Sequence, residues 1–186
     1  MRSAYLTGQL LVAMPALADP NFRQTVTYLC EHTSEGALGI VINRPLELTL
    51  GEIFSHLDVT PEDPDSSDLP VYLGGPVQTD RGFVIHQPLR RWESTLKVSD
   101  TTGLTTSQDI LRDIAIGRGP GQALVALGYA GWSAGQLEQE IRDNAWLNVP
   151  ADDRILFETP VEERWERAVE KLGIDPQLLS TEAGHA

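Results

Sequence analysis

The sequence predicts an α+β fold in which helices pack on a mixed sheet. Segments rich in β-branched and apolar residues outnumber helical patterns early in the chain and alternate with them late, an order unlike a regular βαβ repeat. Four positions carry Ser/Thr-x-x-Glu/Gln, in which the cap and third-position side chains satisfy free backbone amides at a helix start. A length of 186 residues fits one domain, residues 1–186, large enough to bury an ordinary core without disulfides or metals.

Taken in order, the chain opens with an apolar strand that ends at Met14-Pro15. Thr25–Glu31 and Ala37–Asn43 follow as two strands of a hairpin, with Thr33-Ser34-Glu35-Gly36 as the turn. The first cap, Thr49/Glu52, begins a helix whose Leu50, Ile53, Phe54 and Leu57 fall on one core-facing stripe and whose His56 falls off it. Asp58–Asp68 is acidic, has two prolines and no apolar period, and reads as a solvated loop. Val71–Leu73, Gly82–His86, Ser94–Val98, Ala123–Tyr129 and Ile155–Phe157 are further strand candidates. The remaining caps, Thr105/Gln108, Ser133/Gln136 and Thr159/Glu162, predict three more helices. The last has Pro160 at its first position, an apolar row of Val161, Trp165, Val169 and Leu172, and Gly173 as its stop. Thr181–Ala186 is expected to fray.

Charge and cysteine content exclude several function classes. The formal net charge of −13 repels a phosphate backbone, so direct nucleic-acid binding is not expected. Cys30 is the sole cysteine, which rules out an internal disulfide and a cysteine-based zinc site and fits a reducing, cytoplasmic setting. Arg2, the apolar stretch Leu10–Ala18 and Ala16-Leu17-Ala18 resemble a secretory signal, but Thr7-Gly8-Gln9 and Pro15 interrupt the pattern and a first strand explains the same residues. No apolar run approaches the ~20 residues of a membrane span, so no membrane partner is expected.

Candidate chemistry is sparse. Gly131-Trp132-Ser133-Ala134-Gly135 has the G-x-S-x-G form of a hydrolase nucleophile elbow, yet the sole downstream histidine is His185 near the C-terminus, and a helix cap accounts for Ser133. Gly74-Gly75-Pro76-Val77 permits close approach of a ligand to the backbone without matching a phosphate-cradling motif. His32, His56, His86 and His185 show no metal-ligand spacing, and neither metal nor cofactor is expected. Polar groups cluster at predicted strand ends: Asp19-Pro20-Asn21-Phe22, Glu31-His32, Asn43-Arg44-Pro45 and Gln78–Gly82. From these, His32, Asn43, Arg44, Gly74, Gly75, Asp80 and Arg81 are the candidate ligand-binding residues, and no catalytic residue is assigned.

Several segments together are similar to the bacterial YqgE/AlgH family over nearly the whole chain. They are Leu11–Pro15 with Asp19–Phe22, Thr25–Leu29 with Glu31-His32, Gly39–Pro45, Gly74–Val77, Gly128–Trp132 with Gly135–Glu138, and Asn144–Leu147. The resemblance implies a compact cytoplasmic α+β domain whose mixed, largely antiparallel sheet is bifurcated or partly barrel-like and surrounded by helices. It implies no established biochemical activity and no catalytic or binding residues. A label of transcriptional regulation of alginate production attaches to the AlgH name, although no residue here supports direct DNA reading. Relatives are often encoded beside a Holliday-junction-resolvase-like nuclease. The resulting expectation is a non-enzymatic regulatory or protein-interaction domain with a protein partner. The alternatives are a small-molecule-binding protein or hydrolase built around the strand ends, and a regulator without a recognisable DNA-binding motif.

Overall fold

The computed structural model describes residues 5–14 and 22–174. The segment Asp19–Asn21, the histidine His185 and the tail Thr181–Ala186 lie outside the described residues. The chain divides into two compact units, one holding the residues up to Asn43 and from Ala130 onward, the other Arg44–Tyr129. The class is α+β, with five short α-helices and ten strands among the described residues and one parallel pair in an otherwise antiparallel set.

In the first unit the strands β1 (Gln9–Ala13), β2 (Val26–Thr33) and β3 (Gly36–Val41) pair antiparallel in sequence order. β9 (Gln122–Ser133) lends its last residues to β3, and β10 (Trp146–Pro150) closes the other side on β1. The predicted hairpin is present, with Thr33 opposite Gly36. Gly36 sits at φ +140, and a Cβ there would collide with the Trp132 carbonyl, so the turn requires glycine. Helices α3 (Gln136–Arg142), α4 (Asp153–Phe157) and α5 (Arg164–Glu170) belong to this unit. Leu11, Leu29, Ala130, Trp132, Leu137 and Trp146 form one buried cluster, with the two indoles edge to face at 5.8 Å.

In the second unit β4 (Pro45–Thr49), β5 (Pro70–Leu73), the start of β9, β6 (Val77–Gln87), β8 (Gly103–Thr105) and β7 (Thr95–Lys97) are neighbours in that order. Only β5 and β9 run parallel. Helix α1 (Leu50–His56) begins at the predicted capping box, where the Thr49 amide donates to Glu52 Oε2 at 2.8 Å. Its Leu50 and Phe54 join Val71, Val84, Ile110 and Val125 in a buried core, and His56 is exposed as the pattern requires. Helix α2 (Asp109–Ala115) adds Leu111 and Ile114 to the same core. Burying side chains of this kind stabilises by roughly 1.5–3 kcal/mol each.

Where the structure departs from the sequence reading, long-range hydrogen bonds override local signals. Thr105 does not cap a helix: it ends β8, fully buried, and its hydroxyl is held between His86 and Thr95, so α2 starts later with Gln108 at its N-cap. Thr159 donates its hydroxyl back to the Arg154 carbonyl at 2.9 Å and finishes α4, while α5 opens at Arg164 after a 3-10 turn over Val161–Glu163. Ile155–Phe157, a strand by composition, lies in α4 because the Asp152 carboxylate caps the Arg154 amide at 2.9 Å. The acidic segment Asp58–Asp68 contains a 3-10 turn, Pro64–Asp68, capped by Asp63. Strands β4, β8 and β10 had no sequence signal strong enough to mark them.

Candidate functional site

A break in strand pairing opens a concavity in the second unit. Between Val77 and Gly82, β6 advances five positions while its partner β9 advances two, from Tyr129 to Leu127. The surplus residues leave the ladder as a bulge, and Gln78 takes a left-handed φ of +48 that non-glycine residues rarely adopt. Normal pairing resumes at Gly82, opposite Leu127, with Val84 opposite Val125. Alternation along a strand puts Gly82, Val84, Val125 and Leu127 on one face. That face, covered at its edges by Ile53 of α1, Leu57 at its C-cap and Leu111 of α2, floors a cleft of about 630 Å³. A Cβ placed on Gly82 meets nothing within 4 Å, so the cleft exists partly because this floor position has no side chain.

The rim is polar. The bulge contributes Gln78, Asp80 and Arg81, and the loop from β8 into α2 contributes Thr106, Ser107 and Gln108. The Arg81 guanidinium donates to Gln78 Oε1 and Thr106 Oγ1, both at 3.4 Å, and lies 5.6 Å from the Phe83 ring centroid. Ser107 accepts from the Ser94 amide at 3.0 Å and donates to Asp109 Oδ1 at 2.5 Å. Burial pushes the Asp109 carboxyl up, but the Ser107 hydroxyl and the Glu93 and Ile110 amides outweigh it and hold the group below its ordinary range.

From the cleft residue Thr105 runs a partly buried hydrogen-bond chain whose direction is fixed by its ends. The Pro88 carbonyl can only accept, so His86 Nδ1, 3.2 Å away, carries the proton. His86 Nε2 then accepts from Thr105 Oγ1 at 2.8 Å, Thr105 accepts from Thr95 Oγ1 at 2.7 Å, and Thr95 accepts from the Trp92 amide at 2.8 Å. Burial lowers the His86 pKa; the Pro88 carbonyl opposes this and the Arg90 charge adds to it, so the imidazole stays neutral.

The residues singled out by sequence separate into three groups. Asp80 and Arg81 line the cleft. Arg44, Gly74 and Gly75 are not among its lining residues and sit in a backbone corner of the same unit. There the Arg44 carbonyl accepts from Leu73 N and the Gly74 amide donates to Leu127 O, each at 2.8 Å. A Cβ on Gly128, at φ +80, would strike the Gly75 carbonyl. His32 and Asn43 belong to the first unit. His32 is 3 % exposed; its Nδ1 accepts from the Leu6 amide at 3.1 Å, and Nε2 lies 3.3 Å from Glu138 Oε1. The backbone amide of Glu138 itself, with a smaller contribution from His32, holds the Glu138 carboxyl below its usual range. Asn43 joins strands with both ends of its amide, accepting from Val26 N at 2.9 Å and donating to Gln24 O at 3.0 Å.

Ser133 does not cap α3, whose N-cap is Gly135; it ends β9 and is part of a structural relay. Its amide and hydroxyl donate to Gln136 Oε1 at 2.9 and 3.2 Å, Gln136 Nε2 donates to Glu140 Oε2 at 2.9 Å, and Glu140 Oε1 accepts both the Trp132 and Trp146 indole N–H groups at 2.9 Å. Cys30 is buried, and desolvation pushes its thiol pKa upward, away from nucleophilic character. Among the described residues no three His, Cys, Asp or Glu side chains converge as a metal site, and no helix is long and apolar enough to cross a membrane. Sequence reasoning missed Gln78, Thr106, Ser107 and Gln108 as cleft residues. The available signal was a polar run interrupting an apolar strand at Gln78–Arg81 and another immediately before α2.

A family model described as AlgH-like matches residues 10–177. The chain belongs to the AlgH-like family. This AlgH-like chain is 55% identical over 184 residues to a UPF0301 protein of Thioalkalivibrio sulfidiphilus, covering 99% of this chain and 98% of that one. It is 54% identical over 186 residues to a UPF0301 protein of Nitrosospira multiformis, covering 100% of both. The solution structure of the AlgH protein from Pseudomonas aeruginosa superposes with a TM-score of 0.82 at 51% identity, covering 100% of this chain and 98% of that one. A Corynebacterium diphtheriae crystal structure shares the AlgH-like fold at 19% identity and a TM-score of 0.69, covering 90% of this chain and 87% of that one.

Proposed function

We propose that this AlgH-like protein is a non-enzymatic regulatory domain that binds a small amphipathic molecule in the cleft of its Arg44–Tyr129 unit. The carrying observation is the cleft itself: about 630 Å³, an apolar floor and a rim of convergent polar groups. That volume and that division of lining are those of small-molecule sites. A strained residue, Gln78 at φ +48, at the mouth of the cleft adds support, because such backbone persists where surrounding structure holds it for a purpose.

Two arrangements favour binding over catalysis. Thr105 and His86 form a hydroxyl–imidazole pair, but both are fully buried and the Thr105 hydroxyl is already engaged on both sides. Ser107 opens on the cleft, yet its partner Asp109 is held below the ordinary carboxyl range and is therefore a weak base for activating a hydroxyl. The formal charge of −13 disfavours direct DNA binding, so a regulatory role acts through ligand and protein partner, with the cytoplasm as its setting.

The test is a thermal-shift screen of metabolites run in parallel on the natural protein and on Gly82→Leu, whose new side chain projects from the floor into open space. Ligands of the cleft raise the melting temperature of the natural protein and lose that effect in the variant. A screen in which no compound shifts the natural protein, or in which every shift survives in Gly82→Leu, overturns the proposal.

A further inference from the structure

Neighbouring residues on a regular strand point to opposite faces, so Asp80 and Arg81 would be separated by the sheet if β6 were unbroken. The bulge between Val77 and Gly82 removes that alternation, and both residues line the cleft. Despite being consecutive and opposite in charge, they do not pair. Among the described residues no carboxylate lies within 4 Å of the Arg81 guanidinium, whose hydrogen bonds end on the neutral oxygens of Gln78 and Thr106 at 3.4 Å. The Asp80 carboxylate has neither a hydrogen bond nor an ion pair with any described residue.

The cleft therefore presents one uncompensated anion and one uncompensated cation above an apolar floor of Val84, Leu111, Val125 and Leu127. A dianionic head such as a phosphate suits Arg81 but meets Asp80 at the same rim. A simple cation has the reverse difficulty. A neutral body dehydrates both charges and compensates neither. A head carrying one ammonium and one carboxylate satisfies both at once, with guanidinium–carboxylate geometry available on the Arg81 side.

Resting on the reading of the cleft as a ligand site, we infer that its ligand is a zwitterion with a large apolar body, the chemistry of a bulky apolar amino acid or a short apolar peptide. The Arg81 guanidinium receives the carboxylate, the Asp80 carboxylate receives the ammonium, and the apolar body lies on the floor beside Gly82.

Calorimetric titration at low salt with L-leucyl-L-phenylalanine and L-tryptophan, each beside its N-acetyl form and its carboxamide, tests the assignment. The zwitterions are expected to bind, and each blocked form to bind about tenfold more weakly or worse, since one charge at the rim then faces no partner. Arg81→Gln is expected to erase the penalty for the carboxamides, Asp80→Asn that for the N-acetyl forms, and Gly82→Leu to abolish binding of all. Acetylated or amidated probes that equal the zwitterions overturn the inference, as do penalties that survive in Arg81→Gln and Asp80→Asn. If neither zwitterion binds while another compound binds in a Gly82-dependent way, the cleft remains a ligand site and the zwitterion assignment falls. If no compound binds in a Gly82-dependent way, both readings fall together.

Discussion

In the unit containing both termini, Asn43, Glu140 and Arg164 find hydrogen-bond partners within the protein, whereas at the bulge of the Arg44–Tyr129 unit Arg81 reaches only neutral oxygens and Asp80 has no partner among the described residues. Asn43 has partners at both ends of its amide, Glu140 accepts three hydrogen bonds, and the buried Arg164 donates to the Thr159 and Ile42 carbonyls. Asp80 and Arg81 have no charged partner among the described residues. The difference teaches that a conspicuous polar residue at a strand end says little until its donors and acceptors are counted. A satisfied group holds the fold together, and an unsatisfied one in a concavity is available to something else.

The largest expected effect breaks the first unit. Trp146→Ala removes a 1 % exposed indole from the core and leaves a cavity, and is expected to cost about 3–5 kcal/mol in chemical denaturation. Glu140→Leu follows, because two indole N–H groups lose their acceptor; about 2–4 kcal/mol is expected, with Glu140→Gln recovering part through its remaining carbonyl oxygen. If Glu140→Leu denatures like the natural protein, the contrast between the partnered Glu140 and the unpaired charges at the bulge is wrong.

Two glycines of the second unit sharpen the comparison from the other side. Gly128→Ala forces a side chain onto a residue at φ +80 beside the Gly75 carbonyl and is expected to destabilise by about 2 kcal/mol. Gly82→Ala enters open space with no left-handed backbone to strain and is expected to stay within about 0.5 kcal/mol of the natural protein. Denaturation midpoints of the two variants, measured side by side, decide it.

A pH titration of stability probes the hydrogen-bond chain through His86 and Thr105. The folded His86 pKa lies below the unfolded value of 6.5, so the unfolded chain binds more protons between the two. The stability held by neutral His86 is therefore complete above pH 6.5 and is lost progressively as pH falls below it. His86→Gln is expected to flatten that part of the profile; an unchanged slope would place the acid sensitivity elsewhere. The smallest effect belongs to the rim: Arg81→Gln and Asp80→Asn are expected to shift stability by no more than about 0.5 kcal/mol, as exposed positions do.

Much of this was legible in the sequence where the signal is local. The hairpin over β2 and β3, the capping box at Thr49 and the stripe of Leu50, Ile53, Phe54 and Leu57 depend on near neighbours, and all are present. The Thr105 and Thr159 caps failed because their hydroxyls bond elsewhere, Thr105 across strands to His86 and Thr159 back to the preceding helix. The cleft was half legible. Asp80 and Arg81 stand in a polar run inside an apolar strand, but a bulge is a mismatch in length against a partner, and β9 lies some forty residues onward, where no local pattern records the register. Gly82 was invisible for a simpler reason: a missing side chain matters only against what stands opposite it.

The hydrogen bonds at Glu140 carry a consequence for how this chain can change over generations. One carboxylate oxygen serves Trp132 and Trp146 together, so positions 132, 140 and 146 form a single heritable unit. Losing the acid strands two donors at once, whereas losing one tryptophan leaves the acid still engaged by the other. Substitution paths through this core are therefore expected to shed an indole before the glutamate, and an ancestor reconstructed with an aliphatic residue at 140 beside both tryptophans would be a fold under strain.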